Sequence, residues 1–365
     1  MIGLPRWYSN AYRQAHEGLN YRLRSLSGGR WAGYCRPANI GVMMTNLCNA
    51  RCVHCDIWKN KGREETPTVE QWQTVLSDLR SWLGPVHVFL SGGEALLRPA
   101  TLELLAHGSS VGLLMEVLTH GYWDDQSRIE KVALTNPWRV TVSCDGIGET
   151  HDKIRGREHF FEKTNTTIET LKRVRKENNL TFKLRLKTVI MDQNLDGVAA
   201  VAKFATNDGM EVFYQAIEQN YNTPEDPRWF EHSGNWPKDI PKAISAVREL
   251  LALKRQGLHI DNSYEQLEAM IDYFKAPDSL RVAMQSHIAH EHKAVCEALT
   301  GIQFQPNGDV LTCFHMEPVG NIRNTPIREI WNKRPHWWEG GCCLERRCTP
   351  AEKETLLLKE ISSAR

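Results

Sequence analysis

Three cysteines stand close together near the front of the chain, in Cys48-Asn49-Ala50-Arg51-Cys52-Val53-His54-Cys55. Their spacing is C-x3-C-x2-C. A cubane [4Fe–4S] cluster has four iron corners, normally all filled by thiolates. Three ligands in one short loop hold three corners and leave the fourth iron open to an exogenous molecule. Two blander readings compete, a zinc knuckle and three unrelated thiols. Structural zinc takes four ligands, often in paired C-x2-C arms. The nearest further donor, His54, is squeezed between two of the cysteines.

An apolar run, Ile40 to Met44, precedes the loop. C-x3-C-x2-C after a first apolar strand resembles the signature of the radical S-adenosylmethionine (radical SAM) enzymes. The position before the third cysteine is usually aromatic in that family and is His54 here. The resemblance implies a mechanism in which SAM chelates the open iron through its amino and carboxylate groups. The reduced cluster passes one electron to the sulfonium, and a 5′-deoxyadenosyl radical takes hydrogen from a substrate C–H bond. Cys48, Cys52 and Cys55 are then both metal ligands and catalytic residues. An external one-electron donor of flavodoxin or ferredoxin type is implied as a partner.

These residues need a scaffold. Apolar runs alternate with helical patterns from residue 39 to about 217, as repeated βα units require. The runs predict strands at 40–44, 86–90, 113–118, 139–144, 184–190 and 211–217. Thr66 and Pro67 read as a cap and first helical position. Val69, Trp72, Val75, Leu76, Leu79 and Leu83 mark one helical face, and Gly84 ends it. The pattern gives an α/β fold with a parallel sheet. The resemblance narrows it to a partial (β/α)6 barrel at 39–218. A basic aromatic extension at 1–38 precedes the barrel. A helical linker at 219–295 follows, then a small C-terminal α+β auxiliary-cluster domain at 296–365.

In parallel α/β folds ligands sit at the carboxyl ends of the strands. Ser91-Gly92-Gly93-Glu94 follows the second strand, and paired glycines let a backbone approach a ligand closely. It is similar to the family's G-G-E motif, whose carboxylate receives the methionine ammonium of SAM. Thr119-His120-Gly121 is similar to a family T-N-G turn, with His120 as a departure. Ser143-Cys144-Asp145-Gly146 and His151-Asp152-Lys153-Ile154-Arg155-Gly156 resemble S-x-D-G and H-D-x-x-R-G. That likeness makes Ser143 and Asp145 candidates for the ribose or substrate side, and Arg155 for a carboxylate or an ion pair. Gly92, Gly93, Glu94, Ser143, Asp145, Arg155 and His54 are therefore the cofactor-binding candidates. Cys144 alternates with Ser143 and Asp145 and points into packing. Arg185, Lys187, Gln215 and Glu218 line a substrate cavity or take solvated or salt-bridged roles.

A second cysteine set closes the chain. Cys296, Gly308 and Cys313 resemble the opening of SPASM and twitch iron–sulfur extensions, with a hairpin at Pro306-Asn307-Gly308-Asp309. Cys342, Cys343 and Cys348 follow. The likeness implies a second [4Fe–4S] cluster on Cys296, Cys313 and Cys348, with Cys342 or Cys343 as the fourth ligand. Tetrahedral zinc is the competing use of such thiolates. His287, His290 and His292 share no helical face and read as linker.

Lysine plus arginine total 45 and aspartate plus glutamate 44, so nothing global points to nucleic acid. No apolar run reaches the ~18 residues of a membrane span. Ten cysteines without a secretion signal suit a reducing cytoplasm. Residues 1 to 36 carry six arginines and one acid among aromatic residues. They read as a terminal helix packed on the barrel or as a peripheral membrane contact. Fewer than fifty residues precede Cys48, short of the recognition domain that many peptide-modifying relatives carry. This predicts dehydrogenation, epimerisation or coupling of a small metabolite such as a sugar. A ribosomally made peptide or a lipid-linked substrate is the alternative. An iron–sulfur electron carrier and a zinc-binding module are the readings from other classes.

Overall fold

The computed structural model describes residues 6–25, 31–62, 64–224, 226, 228–277, 300–312 and 317–334. Six strands follow one another in parallel: β1 (Asn39–Met43), β2 (His87–Ser91), β3 (Leu114–Thr119), β4 (Arg139–Ser143), β5 (Lys183–Ile190) and β6 (Glu211–Ala216). Each pairs with the next, and helices fill the crossovers. The apolar runs located every one of these strands to within a residue or so.

Strand side chains alternate between two faces. One face, with Val42, Val88, Val117, Val142, Leu186 and Tyr214, is buried in one continuous core. The opposite face is polar. Glu116 there accepts from Arg139 (2.7 Å), Arg185 (2.8 Å), Thr141 (2.5 Å) and His87 (2.7 Å). Burial opposes ionisation of Glu116, yet Arg185, Arg139 and His87 together hold its carboxyl well below the usual range. Arg185 also pairs with Asp261. Its place is therefore structural, as a tie across the sheet.

The first outer helix is Val69–Leu83, and its cap is Thr68, not Thr66. Thr68 Oγ1 accepts from the Gln71 N–H, and the Gln71 side chain accepts from the Thr68 N–H. This reciprocal box satisfies two orphan amides, which Thr66 could not do with Val69 three residues on.

Two features lie beyond the six-strand pattern. Residues 229–275 pack into the same core rather than beside it. Trp236 meets Trp229, Tyr273 and Phe274 at ring separations of 5.5 Å, and Ile260 bridges Val212 in parallel. On the far edge, β7 (Gly301–Phe304) pairs parallel with β1, and β8 (Asp309–Leu311) and β9 (Gly320–Asn321) complete a nine-stranded sheet. The turn between β7 and β8 is the Asn-Gly turn read from sequence, with Gly308 at φ +91°. The second cysteine set, Cys296, Cys313, Cys342, Cys343 and Cys348, and the three histidines near residue 290 lie outside the described residues.

Helix Arg6–Ser25 packs on the protein. Tyr12 fills the space beside Gly84, and Arg13 lies 5.8 Å over the Trp138 ring. Asn20 brackets Arg36 with two hydrogen bonds. No described helix is long and apolar enough to cross a membrane.

Candidate active site

The cysteine loop leaves the carboxyl end of β1 and is held from several sides. Glu64 accepts from the Thr45 hydroxyl and the Asn46 amide, and Arg98 anchors Glu64 at 2.6 Å. The Arg51 and Val53 amides donate to the carbonyls of Arg155 (3.1 Å) and Ile154 (2.9 Å), and the Asp56 amide to Tyr221 (3.0 Å). The loop rests on Phe160, which is fully buried, and on Tyr122.

Gly92 and Gly93 serve this loop. Sequence reasoning assigned them to close ligand approach, but what approaches is the loop backbone. A Cβ on Gly92 would sit 2.4 Å from Thr45 O, and one on Gly93 2.3 Å from Leu47 O. The Gly93 and Glu94 amides donate to those same carbonyls at 2.8 and 2.9 Å. The short separation leaves no volume for a side chain.

Glu94 follows at 1% exposure. It accepts from Leu96 N–H (3.0 Å), the Thr119 hydroxyl (3.1 Å) and His120 N–H (2.8 Å). A carboxylate has about four acceptor sites, so one remains for a cation. Burial dominates these bonds and pushes the Glu94 carboxyl up to about 7. A cationic ligand would reverse that.

Asp145 and Arg155 are brought together, fully buried and nearly so. Their ion pair measures 2.6 Å. Arg155 reaches on to Cys52 Sγ at 3.6 Å. Burial works against the charge on Asp145, but Arg155, His54 and His151 hold its carboxyl below the usual range. Asp145 also accepts from the Val189 amide, and its own amide donates to His151. This places Asp145 behind the cysteine loop, spent on Arg155, rather than out toward a ribose. Ser143 instead ends β4 in register with Lys187 of β5, on the polar sheet face. Lys187 has no carboxylate within ion-pair distance among the described residues, and burial lowers its amine from the ordinary value. Cys144 is fully buried in the core, as alternation required.

His54 is half-buried, and its Nδ1 has no hydrogen-bond partner among the described residues. Burial takes its imidazole down to about 4. It is a neutral side chain at the position next to Cys55.

The thiols themselves are hard to ionise without metal. Burial pushes Cys48 up to about 12 and Cys55 up to about 11, and raises Cys52 as well. For Cys48, the nearby Glu94 and the other two cysteines add to this. A cationic iron–sulfur group would supply the missing positive charge. Among the described residues no three His, Cys, Asp or Glu side chains converge on a single-ion site. The other described cysteines lie elsewhere, Cys144 in the core and Cys35 against the Asn20 carbonyl. Three thiols in one loop fit a cluster with an open corner.

Sequence reasoning did not assign three residues of the site. Asn49 and His120 meet at 2.7 Å, and Tyr122 packs against the loop's apolar cluster. The only signal was His120 standing in a T-x-G turn.

The radical SAM superfamily model matches residues 42–205, and an iron–sulfur cluster-binding SPASM domain matches 296–338. The Fe-coproporphyrin III synthase of Methanosarcina barkeri is 32% identical over 308 residues, covering 79% of this chain and 72% of that one. The PqqA peptide cyclase of Methylorubrum extorquens is 24% identical over 341 residues, covering 87% and 79%. Streptococcus suis SuiB, solved bound to its precursor peptide SuiA, shares the fold at a TM-score of 0.64 and 14% identity, covering 92% and 71%. The chain belongs to the radical SAM superfamily and carries a C-terminal SPASM iron–sulfur region. It is an enzyme of that class, using [4Fe–4S] chemistry and S-adenosylmethionine.

Proposed function

We propose that Cys48, Cys52 and Cys55 hold the cluster whose open iron receives S-adenosylmethionine, and that the substrate is a ribosomally made peptide. The observation that carries the first part is the three-thiol loop, clamped, with Cys52 buried and Cys48 and Cys55 half-buried, and without a fourth described thiol at hand. When bound, the cluster and SAM supply a carbon radical that abstracts hydrogen. The chain's own residues do the rest. Glu94 offers its remaining acceptor site to the methionine ammonium. Gly92 and Gly93 keep the β2 turn against the loop. Arg155, held by Asp145, donates to Cys52. Ser143 and Lys187 line the sheet face where substrate would lie. Cys296, Cys313 and Cys348, with Cys342 or Cys343, would hold a second cluster in the SPASM region. Cytoplasmic placement and an external electron donor belong to the same reading.

The peptide reading draws support from similarity to the PqqA peptide cyclase over most of both chains. A second reading, an iron porphyrin, is favoured by the higher identity to the Fe-coproporphyrin III synthase.

The test uses anaerobically reconstituted full-length protein with SAM and reductant. Wild type releases 5′-deoxyadenosine, and Cys48→Ala, Cys52→Ala and Cys55→Ala do not. Retained cleavage in any of the three would sink the assignment. Mass spectrometry of candidate precursor peptides and of iron coproporphyrin III then separates the two substrates.

A further inference from the structure

We propose that Asn220 and Asn235, from the segment after the barrel, are positioning residues for the reaction: together they hold the Val53 carbonyl and so fix where His54 and Cys55 point. The inference rests on the proposed cluster with its open iron, and it extends the active site into the stretch read from sequence as a linker.

The Val53 side chain is 40% exposed, so what the fold holds at this position is backbone. Its amide donates to Ile154 O at 2.9 Å. Its carbonyl accepts twice, from Asn235 Nδ2 at 2.9 Å and from Asn220 Nδ2 at 3.2 Å. A carbonyl oxygen has two lone pairs, and both are taken. Two donors on one oxygen fix the plane of the peptide that leads into His54. On the far side of Cys55, the Asp56 amide donates to Tyr221 O at 3.0 Å, and Cys55 itself bridges Tyr221 in parallel. His54 and Cys55 are thus bracketed by two peptides, each held by residues from 220 to 235. Cys48 and Cys52 differ. The backbone beside them bonds to the β2 turn and to Arg155 and Ile154, all within the barrel.

Asn235 is 8% exposed and is itself held on three sides. Its main-chain carbonyl accepts from the Asp192 amide at 3.0 Å, its main-chain amide donates to Ser233 Oγ at 3.1 Å, and its Oδ1 accepts from Gln193 Nε2 at 3.0 Å. The last contact sets the orientation of the side-chain amide. Gln193 Nε2 also donates to Gly234 O, so it presents nitrogen here. Asn235 answers with oxygen and turns its own nitrogen to Val53. Asn220 Oδ1 takes a longer contact from that same nitrogen, 3.4 Å. A carboxylate at 235 would keep the Gln193 bond but set oxygen against oxygen at Val53. A continuous chain of bonds therefore runs from the turn after β5, through Asn235, to the peptide before His54. In the same turn, Asn194 donates to Asp145 O at 2.8 Å. One turn thus steadies both the Arg155 counter-ion and the cysteine loop.

The test is electron paramagnetic resonance of the reduced, reconstituted full-length enzyme, titrated with SAM. Asn220→Ala removes one donor at a half-buried position and should leave the fold intact. Asn235→Asp keeps the size and the Gln193 bond but loses the donor. The thiols remain in both, so iron per chain should stay near wild type. A loosened third ligand spreads the cluster over more geometries, so the SAM-free signal should broaden, more in Asn235→Asp. The SAM concentration at half change should rise about threefold in Asn220→Ala and about tenfold in Asn235→Asp. Asn262→Asp is the matched control. Asn262 is fully buried and bonds both peptide groups of Tyr214, at 2.7 and 2.8 Å, on edge strand β6. Its variant should lower the thermal midpoint and leave line width and titration unchanged. The proposal is overturned if both loop variants match wild type in line width and titration, or if Asn262→Asp shifts them equally. If Asn235→Asp does not fold, Asn220→Ala alone decides. A wild-type signal that ignores SAM counts against the open iron instead, and the positioning role is still judged on line width.

Discussion

His120 Nε2 lies 2.7 Å from Asn49 Oδ1 and joins the end of β3 to the middle of the cysteine loop. The tautomer follows from the network: Nδ1 accepts from the Tyr122 amide at 2.9 Å, so Nε2 carries the proton. Glu94 Oε2 stands 3.2 Å from the same nitrogen. The ring stacks on Trp123 at 5.6 Å. One neutral imidazole therefore ties the loop, the Glu94 turn and the β3 turn together.

His120→Ala should loosen the loop. It strips Asn49 and the Tyr122 amide of a buried partner, at about 1–3 kcal/mol. Iron retained per chain after anaerobic desalting should fall, while His120→Asn, which keeps a donor and an acceptor, should retain more than the alanine variant. Equal iron in all three proteins would show that the contact does not position the loop.

Gly156→Ala should be far worse than Gly209→Ala. Both glycines follow a helix with positive φ, at +71° and +67°, a conformation that costs an L-residue about 1–2 kcal/mol. Of the two, only at Gly156 would the new Cβ also meet a backbone, 2.2 Å from Arg51 O in the cysteine loop, whereas Gly209 has nothing within 4 Å. Urea midpoints and iron content of the pair measure the difference, and similar losses in both would contradict it.

Asp145→Asn should destabilise the fold by about 3–5 kcal/mol, because it leaves the Arg155 guanidinium buried without its counter-ion. Chemical denaturation of metal-free protein reads this directly. Asp145→Asn with Arg155→Met should recover part of the loss, since the uncompensated charge is gone. A neutral single substitution would mean that the 2.6 Å pair contributes nothing.

Acid should destabilise the metal-free protein from about pH 6.5 downward. Burial takes His54 down to about 4 and His120 and His151 down to about 3, so the unfolded chain binds their protons first, near the ordinary histidine value, and stability falls with pH. Glu94 works the other way. Its carboxyl, pushed up to about 7, is protonated in the folded protein before the unfolded one, and offsets one of the three histidines down to about pH 4.5. Thermal midpoints should therefore fall as the pH drops from about 6.5. Glu94→Gln should steepen that fall above about pH 4.5. A wild-type midpoint that rose between pH 6.5 and 5 would contradict this assignment.

Much of this site could be read without coordinates. C-x3-C-x2-C states a ligand count by itself, and the six apolar runs state a parallel α/β sheet, because period and spacing are local properties of the chain. Alternation along β4 alone sent Cys144 inward. Tertiary packing decided what depends on partners distant in sequence. Gly93 is small because Leu47 passes 2.3 Å from where its Cβ would be. Asp145 faces Arg155 instead of solvent, and Glu116 draws charges from β2, β4 and β5. β7 joins β1 across more than two hundred and fifty residues of chain. Thr68 rather than Thr66 caps its helix because Gln71 answers it. A sequence lists which groups can ionise, ligate or bond. Only the fold fixes which of them lie within reach of one another and out of water, and at those short ranges charge and hydrogen bonding assign the roles.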